Sequence, residues 1–236
     1  MAEVASSPSS AEVRVPAPTR RFLQFNPALD AYRMLGVRGF LAEIPPWLLR
    51  RRYLFYGIRP ADARPLSPPP LPFRLDVLSE KEIPDLVAFR PDRYTPDRLT
   101  NWIERGHLGL VGRSGAEIVH LRWVFVAAAP LPYLSRRLLL GPGEGLLDEV
   151  YTVPAWRRRG VETAAAHETQ RLLRARGFTR VLCVIASWNR APLRLVERQG
   201  YQRLGEGGYW NLLGYRRFFW TGKVADDGRG RLVVGR

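Results

Sequence analysis

A chain of 236 residues, 46% hydrophobic and 25% charged, can form one sizeable α/β domain with an appendage, or two small domains. Its single cysteine, Cys183, excludes an intramolecular disulfide framework and a cysteine-cluster zinc site, and its three histidines lie too far apart in sequence to indicate a metal site. The formal charge of +15 comes almost entirely from arginine, which together with many Ala, Gly and Pro residues is typical of a GC-rich bacterial genome.

The charge is spread along the chain, and an anionic small cofactor or an anionic membrane surface explains it as well as nucleic acid does. We therefore do not expect nucleic acid as the main partner. No run of 18 or more apolar residues is present, and the first 20 residues lack the charged-then-apolar order of a signal peptide. The expectation is a cytoplasmic protein without a transmembrane segment.

Two segments precede the main domain. Residues 1–20 have too few bulky apolar groups to offset their ordering entropy, which predicts a disordered tail. Residues 21–72 form an N-terminal extension that ends in a proline-rich linker, and Pro45-Pro46 allows a short helix on each side at most. Within 36–59, three arginines flanked by Trp and Tyr are compatible with peripheral membrane contact. Packing on the main domain, or on a second subunit in a homodimer, is the preferred alternative.

From residue 73 the apolar pattern becomes regular, and Ser79 with Glu82 has the spacing of a helix capping box. The predicted elements are a strand at 73–77, helices at 79–89 and 97–105, a hairpin at 108–112 and 117–127, a strand at 145–153, a helix at 160–176, a strand at 181–186, a helix at 191–199 and strands around 205–208. This order predicts an α+β domain over 73–221 with a mixed sheet flanked by helices, and 222–236 is predicted to be a polar C-terminal tail.

The most informative stretch runs from Val150 to His167. A β-forming run ends at Val153, a turn with Pro154 and basic residues follows, and a helix begins at Gly160. Unsatisfied backbone N–H groups and the positive end of the helix dipole therefore converge on one spot, where phosphate binds well. The arginines 157–159 add attraction to a polyanion, although three arginines before a helix more often form a solvated turn.

Two ordered motifs resemble those of the GNAT superfamily of acyl-CoA-dependent N-acyltransferases. Arg157-Arg-Arg-Gly-Val-Glu is similar to the family's pyrophosphate motif, (Arg/Gln)-x-x-Gly-x-(Gly/Ala). Asn189-Arg-Ala-Pro-Leu-Arg-Leu-Val-Glu-Arg-Gln-Gly-Tyr is similar to its Asn-x-x-(Ala/Ser)-x-x-x-Tyr-x-x-x-Gly-(Phe/Tyr) segment. The resemblance implies a GNAT fold, in which a central twisted mixed β-sheet is flanked by helices. Its parallel strands at 146–153 and 181–186 would splay apart to form an acyl-CoA cleft.

The same resemblance implies acetyl-CoA, or another acyl-CoA, as cosubstrate and acyl transfer to a primary amine by direct attack. Main-chain groups near Val153 would hold the pantetheine arm, the turn would hold the pyrophosphate, and Asn189 would contact the arm or the adenylate side. The implied cofactor-binding residues are Val153, Arg157, Arg158, Arg159, Gly160, Val161, Glu162 and Asn189.

Two positions depart from the family pattern. Glu162 stands where Gly or Ala is usual, and a carboxylate there repels a pyrophosphate unless its side chain turns outward. Val196 stands where many relatives have a tyrosine that is proposed to reprotonate the leaving thiolate. Water, Tyr201 or Tyr209 are candidates to replace it. These departures motivate an alternative function, a non-catalytic acyl-CoA-binding or regulatory module.

Acyl transfer to an amine needs a group that takes the amine's proton. Glu149 is the first candidate and Asp148 the second, because they lie on opposite faces of a regular strand and one of them must face the cleft. His120, on a strand expected to face the acceptor, is the third. A salt-bridged acid or a structural histidine is the alternative for each. Trp123 and Tyr209 are candidate acceptor contacts, and the acceptor itself, a small molecule or a peptide, stays open.

Overall fold

The computed structural model describes residues 50–65, 71–212 and 215–235. The disordered tail predicted for residues 1–20 lies outside the described residues. The strands are β1 (Arg50–Ile58), β2 (Arg74–Val77), β3 (Leu108–Ser114), β4 (Glu117–Phe125), β5 (Ala128–Leu131), β6 (Arg136–Leu139), β7 (Glu144–Thr152), β8 (Arg180–Ala186), β9 (Gln202–Leu212), β10 (Tyr215–Gly222), β11 (Val224–Asp226) and β12 (Arg231–Val234). The α-helices are α1 (Ile83–Phe89), α2 (Pro96–Glu104), α3 (Val161–Ala175) and α4 (Arg190–Gln199).

The strands form two sheets. The large sheet has eight strands in the order β10-β9-β1-β8-β7-β4-β3-β2, and the small sheet has four in the order β11-β12-β6-β5. Every neighbouring pair in the large sheet is antiparallel except β7 and β8, which are parallel. The predicted mixed sheet flanked by helices is therefore confirmed.

Each face of the large sheet has its own apolar core. On the face that we call the front, Tyr53 and Phe55 share a cluster with residues of α1, α2 and the small sheet. On the other face, the back, Leu54 and Tyr56 share a cluster with residues of α3 and α4. Successive side chains of β1 thus alternate between the two cores, as they must in a strand that is covered on both faces.

Strand β1 overturns the prediction of at most a short helix after Pro45-Pro46. It lies between β8 and β9 and pairs with both, and residues 53–56 are all buried. A strand with neighbours on both sides and cores on both faces has a continuous apolar run rather than alternation. The prediction of membrane contact is therefore wrong for residues 53–56, and its part at 36–49 lies outside the described residues.

The C-terminal segment also differs from its prediction as a tail. Residues 224–226 and 231–234 are strands of the small sheet, where β12 pairs in parallel with β6. Leu232 is fully buried, and Arg136 of β6 forms an ion pair of 2.7 Å with Asp226. The predicted capping box, by contrast, is confirmed: the Ser79 backbone N–H and hydroxyl both donate to Glu82, and a 3₁₀ turn leads into α1.

Candidate functional site

The parallel strands β7 and β8 diverge in the middle of the large sheet. They pair from Glu144 with Arg180 to Leu147 with Cys183, and no further. Beyond this point β7 continues to Thr152 and β8 to Ala186, so their facing main-chain edges separate. The divergence inferred from the family resemblance is confirmed, and it opens a cleft edge with unpaired peptide groups.

A β-bulge in β7 lies just beyond the point of divergence. Asp148 pairs with Trp123 and Tyr151 pairs with Leu121, so β7 has one more residue than β4 between these pairs. Glu149 takes a left-handed backbone conformation, with φ of 54°. Because of the extra residue, Asp148 and Tyr151 both face the front, and the expected alternation that placed Asp148 opposite Glu149 and Tyr151 is wrong.

Asp148 has the environment of a proton acceptor. Burial raises the pKa of Asp148 to about 7, and the negative charge of Glu149 acts in the same direction. One carboxylate oxygen accepts a hydrogen bond of 2.7 Å from the Glu149 backbone N–H. The described residues provide no donor to the other oxygen, which leaves it able to accept a proton.

Glu149, the first candidate, is engaged elsewhere. Its two carboxylate oxygens accept hydrogen bonds of 2.9 and 2.5 Å from Arg93, and Arg98 lies 3.8 Å away. Taking a proton would require one of these charge-assisted bonds to break. The geometry therefore favours Asp148 over Glu149 as the base and gives Glu149 the role of fixing the loop that carries Arg93 to β7.

His120 lies on the back face, away from Asp148. It is fully buried, its Nδ1 is 2.8 Å from the Thr152 hydroxyl, and its Nε2 accepts a hydrogen bond of 2.9 Å from Arg122. Burial, and then the charge of Arg122, hold the pKa of His120 well below its usual range. A neutral histidine with both ring nitrogens engaged is a structural residue, so the expectation that His120 faces the acceptor is wrong.

Arg122 connects this histidine to the start of α3. Its guanidinium donates to Glu162 at 2.8 Å and to Thr169 at 3.3 Å. The Glu162 carboxylate thus points toward β4 and is neutralised there, which meets the condition that this unusual residue must turn away from a pyrophosphate. Arg122 is a residue that the sequence analysis missed, since nothing in the sequence links it to a residue 40 positions later.

The turn before α3 has the backbone of an anion-binding site. Arg158 and Gly160 have φ of 62° and 88°, and the backbone N–H groups of 158–162 have no hydrogen-bond acceptor in the described chain. Left-handed residues next to a helix N-terminus turn successive N–H groups toward one point, and the helix dipole adds positive potential there. A non-glycine residue in this conformation is strained, and the strain of Arg158 motivates the hypothesis that this turn is functional.

The other predicted cofactor residues differ in availability. Val153 already uses both main-chain groups, since its N–H donates to Val119 and its carbonyl accepts from Trp156. The side chains of Arg157 and Arg159 are exposed; Arg157 donates to the Thr152 carbonyl at 3.0 Å, and Arg159 lies over the Trp156 ring. Val161 is buried in the first turn of α3.

Asn189 lies where β8 leads into α4, and its backbone N–H donates to the Ala186 carbonyl at 2.9 Å, while its side-chain amide forms no hydrogen bond with the described residues. Val196 packs in the back-face core. Tyr201 is fixed there by a hydrogen bond of 2.7 Å from Gln170. Neither of these two core residues supplies a free proton donor to the front face.

Tyr133 supplies a hydroxyl that the sequence analysis did not single out. It belongs to the 3₁₀ turn between β5 and β6, and its ring stacks on Tyr53 at 4.6 Å. The hydroxyl oxygen is buried without a hydrogen-bond partner in the described ranges. Burial and the charge of nearby Asp148 raise the pKa of Tyr133 well above its usual range. A buried hydroxyl without a partner is costly in a core, so this hydroxyl needs a partner that the described residues do not supply.

Comparison with known proteins identifies the family. Residues 82–201, just over half of the chain, match the sequence profile of the acetyltransferase (GNAT) family. Among curated proteins, none matches the sequence. None of the helices in the described ranges has the length and apolar character to cross a bilayer, and no group of three or more metal-ligating side chains occurs in the same part of the chain.

Several solved structures are similar to this chain. A GCN5-related N-acetyltransferase from Kribbella flavida is 18% identical with a TM-score of 0.45, over 72% of this chain and 60% of that chain. One from Sphaerobacter thermophilus is 18% identical with a TM-score of 0.47, over 73% and 55%. A GCN5-related glucosamine N-acetyltransferase region of a fungal multi-domain GH3 β-N-acetylglucosaminidase is 16% identical with a TM-score of 0.50, over 77% and 22%. The chain thus spans 60% or less of these structures, and at these identities the likeness concerns the fold alone.

Proposed function

The chain belongs to the acetyltransferase (GNAT) family, and on this premise we propose that it is an N-acyltransferase that moves an acyl group, acetyl in the first place, from acyl-CoA to a primary amine. One observation carries the proposal: Asp148, with a pKa of about 7, lies at the point where β7 and β8 diverge. The expected base, cleft and anion-binding turn are therefore consecutive along one strand and the turn that follows it.

The residues present fit an acyl-CoA. The free N–H groups of 158–162 suit the pyrophosphate, and the salt bridge of Glu162 with Arg122 removes the repulsion that this carboxylate would exert. The unpaired edge of β7 beyond Leu147 suits the amide groups of the pantetheine arm, and it takes over the role first assigned to Val153. When bound, the cosubstrate supplies the thioester.

The chain's own residues then manage protons. The Asp148 carboxylate takes a proton from the acceptor's ammonium group, which leaves the neutral amine that attacks the thioester carbonyl carbon. The C–N bond forms and the C–S bond breaks. The CoA sulfur gains a proton, the second proton that the nitrogen loses replaces it on the donor, and Asp148 releases the first proton to solvent before the next cycle. We assign the donation to sulfur to the Tyr133 hydroxyl, in place of the tyrosine that Val196 replaces in this chain.

The first test is calorimetric titration with acetyl-CoA. Gly160→Asp adds a carboxylate to the anion-binding turn and forces an L-residue to φ of 88°. Gly177→Asp is the matched control, because Gly177 also has a positive φ, 75°, and follows the opposite end of α3 with open space around it. We expect micromolar binding by the parent and by G177D, and at least a tenfold loss in G160D. Equal binding by all three proteins would contradict the assignment of the turn.

The second test is turnover of a panel of amines by the parent and Asp148→Asn. We expect the parent's rate to rise with pH through about 7, as the carboxylate forms. In D148N the rate should fall by roughly 10²–10⁴-fold, while acetyl-CoA binding stays unchanged. Acetyl-CoA binding without turnover of any amine would refute the enzyme and favour a non-catalytic acyl-CoA-binding module.

A further inference from the structure

The outer end of the large sheet has a basic and aromatic surface that the proposed acyl transfer does not use. It consists of Arg50 of β1, Trp210 of β9, and Tyr215, Arg217 and Phe219 of β10, and we call it the β10 surface. We propose that the β10 surface binds single-stranded RNA, with bases stacked on its exposed rings and phosphates bound by its arginines. RNA is then a second partner of the chain, beside the substrates of acyl transfer.

Strand register places these side chains on one face. Arg50 lies opposite Trp210 in the pairing of β1 with β9, and Trp210 lies opposite Arg217 in the pairing of β9 with β10. Tyr215 and Phe219 are each two residues from Arg217, so they share its face, which is the back face of the sheet. Among the described residues, none of β9 or β10 belongs to the back-face core. An open depression of about 640 Å³ lies here, and its lining includes all of these side chains except that of Arg50.

Two of the rings are open to solvent. Trp210 is 47% exposed and Tyr215 is 75% exposed, and they are two of the four large hydrophobic side chains that are exposed in the described residues. The Arg50 guanidinium lies 4.8 Å from the centres of the Trp210 and Phe219 rings, and this cation–π contact holds the Trp210 ring in place. Exposed rings on a sheet face are platforms on which the unstacked bases of single-stranded RNA bind.

The β10 surface has more positive charge than its acid can compensate. Arg50 and Arg52 lie 3.7 and 2.7 Å from the Glu206 carboxylate, so these arginines share one acid. Arg216 and Arg217 are exposed, and within the described residues they form no ion pair. The fold thus concentrates at this edge arginines that are spread along the sequence, and a polyanion is the partner with the complementary charge.

The free edge of β10 favours RNA over a second copy of the chain. β10 is the last strand of the large sheet, and its outer main-chain groups form no hydrogen bond with other described residues. Pairing of β10 with its counterpart in a second copy would bring Arg216 and Arg217 of both copies together, and like charges on paired strands are unfavourable. The free N–H and C=O groups instead suit the ribose 2′-hydroxyl, which both donates and accepts and which DNA lacks.

The β10 surface is separate from the proposed reaction site. In the order of the large sheet, β10 is four strands from β7, a distance of ~19 Å across the strands. The inference therefore does not rest on the proposed function, and substitutions on the β10 surface should leave the calorimetric titration with acetyl-CoA unchanged.

Fluorescence anisotropy with a labelled uridine RNA dodecamer tests the inference. We expect binding whose affinity falls steeply as salt is added. An abasic dodecamer with the same backbone should bind roughly tenfold more weakly, because it has no bases to stack, and the deoxyuridine dodecamer should also bind more weakly. Equal binding of the abasic oligomer would mean attraction by charge alone, and equal binding of DNA would remove the role of the 2′-hydroxyl, so either result would overturn the assignment to RNA. No binding of the uridine dodecamer would overturn it too, and binding to anionic lipid vesicles in that case would identify a membrane contact instead.

Matched variants locate the binding on the β10 surface. Trp210→Ala and Tyr215→Ala should each weaken RNA binding by roughly tenfold, whereas Tyr215→Phe, which keeps the ring, should bind like the parent. Arg217→Gln should reduce the magnitude of the slope of log K against log salt by ~0.7, the contribution of one phosphate contact. Arg105→Gln is the charge control, because Arg105 is exposed just after α2 and precedes β3, near the other end of the sheet. Urea unfolding checks that the variants fold. An R105Q effect equal to that of R217Q, or unchanged binding by both alanine variants, would overturn the inference.

Discussion

At the scale of single residues, Asp148 and Glu149 show how neighbouring carboxylates acquire different properties. Glu149 is held by Arg93 and Arg98, whereas Asp148 is buried within the electrostatic range of Tyr133 and has a pKa of about 7. The division follows from the bulge, which turns both side chains away from strict alternation. Adjacent carboxylates with different partners can therefore take different roles in acid–base chemistry.

The raised pKa of Asp148 has a consequence for stability. An aspartate titrates near 3.9 in an unfolded chain, so between about pH 4 and pH 7 the native state binds more protons than the unfolded state. The free energy of unfolding therefore decreases as the pH rises through this window. We expect Asp148→Asn, which loses activity, to be more stable than the parent at pH 8 by about 2–4 kcal/mol, with little difference at pH 4.

Urea unfolding at both pH values measures this difference. Glu104→Gln is the control, because Glu104 is exposed at the end of α2 and its substitution should have the same small effect at both pH values. If the difference in the free energy of unfolding between D148N and the parent were the same at pH 8 and pH 4, Asp148 would titrate as an ordinary aspartate. It would then no longer be favoured as the base.

Some of these residues could be identified from the sequence, and others could not. The pair Asp148 and Glu149 could be found from the sequence, because a strand before an anion-binding turn is a natural place for a base. Which of the two is the better candidate for the base could not be found from the sequence, because it depends on the bulge at Glu149 and on Arg93, which lies 56 positions earlier. Tyr133 was missed for the same reason, since Tyr53 and Asp148 come close to it only in the folded protein.

At the scale of elements, those with a regular apolar pattern, such as β7 and α3, could be predicted. Strand β1, which is covered on both faces, could not. The strand at 145–153 and the helix at 160–176 agree with β7 and α3 to within one residue at each end, because amphipathic periodicity and a left-handed glycine mark their bounds. β1 was missed because an aromatic run after three arginines has no periodicity.

At this scale we predict effects at the N-terminus of α3. The anion-binding turn there depends on the ion pair of Arg122 with Glu162. Arg122→Leu would free the Glu162 carboxylate beside the anion-binding turn, so acetyl-CoA binding should weaken by about tenfold, or ~1.4 kcal/mol. Glu162→Ala alone should leave binding intact but lower the free energy of unfolding by about 1–3 kcal/mol, since Arg122 would remain buried without its carboxylate.

The double variant completes this cycle. Arg122→Leu/Glu162→Ala removes both charges, and we expect it to bind acetyl-CoA like the parent and to be more stable than Glu162→Ala. Calorimetric titration and urea unfolding of all four proteins measure the two effects. Binding by the double variant as weak as that of Arg122→Leu would mean that Arg122 acts by a route other than neutralising Glu162.

At the scale of the whole molecule, the small sheet covers the front face and contributes Tyr133 to the site. Its last strand, β12, comes from the segment predicted to be a tail, and that prediction failed because β12 has only four residues, whose apolar run Leu232-Val233-Val234 shows no alternation in the sequence. Buried and exposed side chains alternate in β12 once it pairs with β6. Leu232 is 0% exposed and Val233 is 44% exposed. The front-face core therefore includes residues from nearly the whole described chain.

This alternation gives a matched pair of substitutions on one strand. Leu232→Ala would leave a cavity in the front-face core and should lower the free energy of unfolding by about 2–5 kcal/mol. Val233→Ala, one residue away on the exposed face, should change it by about 0.5 kcal/mol or less. Urea unfolding measures both. Equal, small effects would mean that β12 is dispensable for stability, as the prediction of a C-terminal tail implies. A large effect of Leu232→Ala, with acetyl-CoA binding retained below the transition, would place the C-terminal strand in the cooperative unit that holds Tyr133 and the front face together.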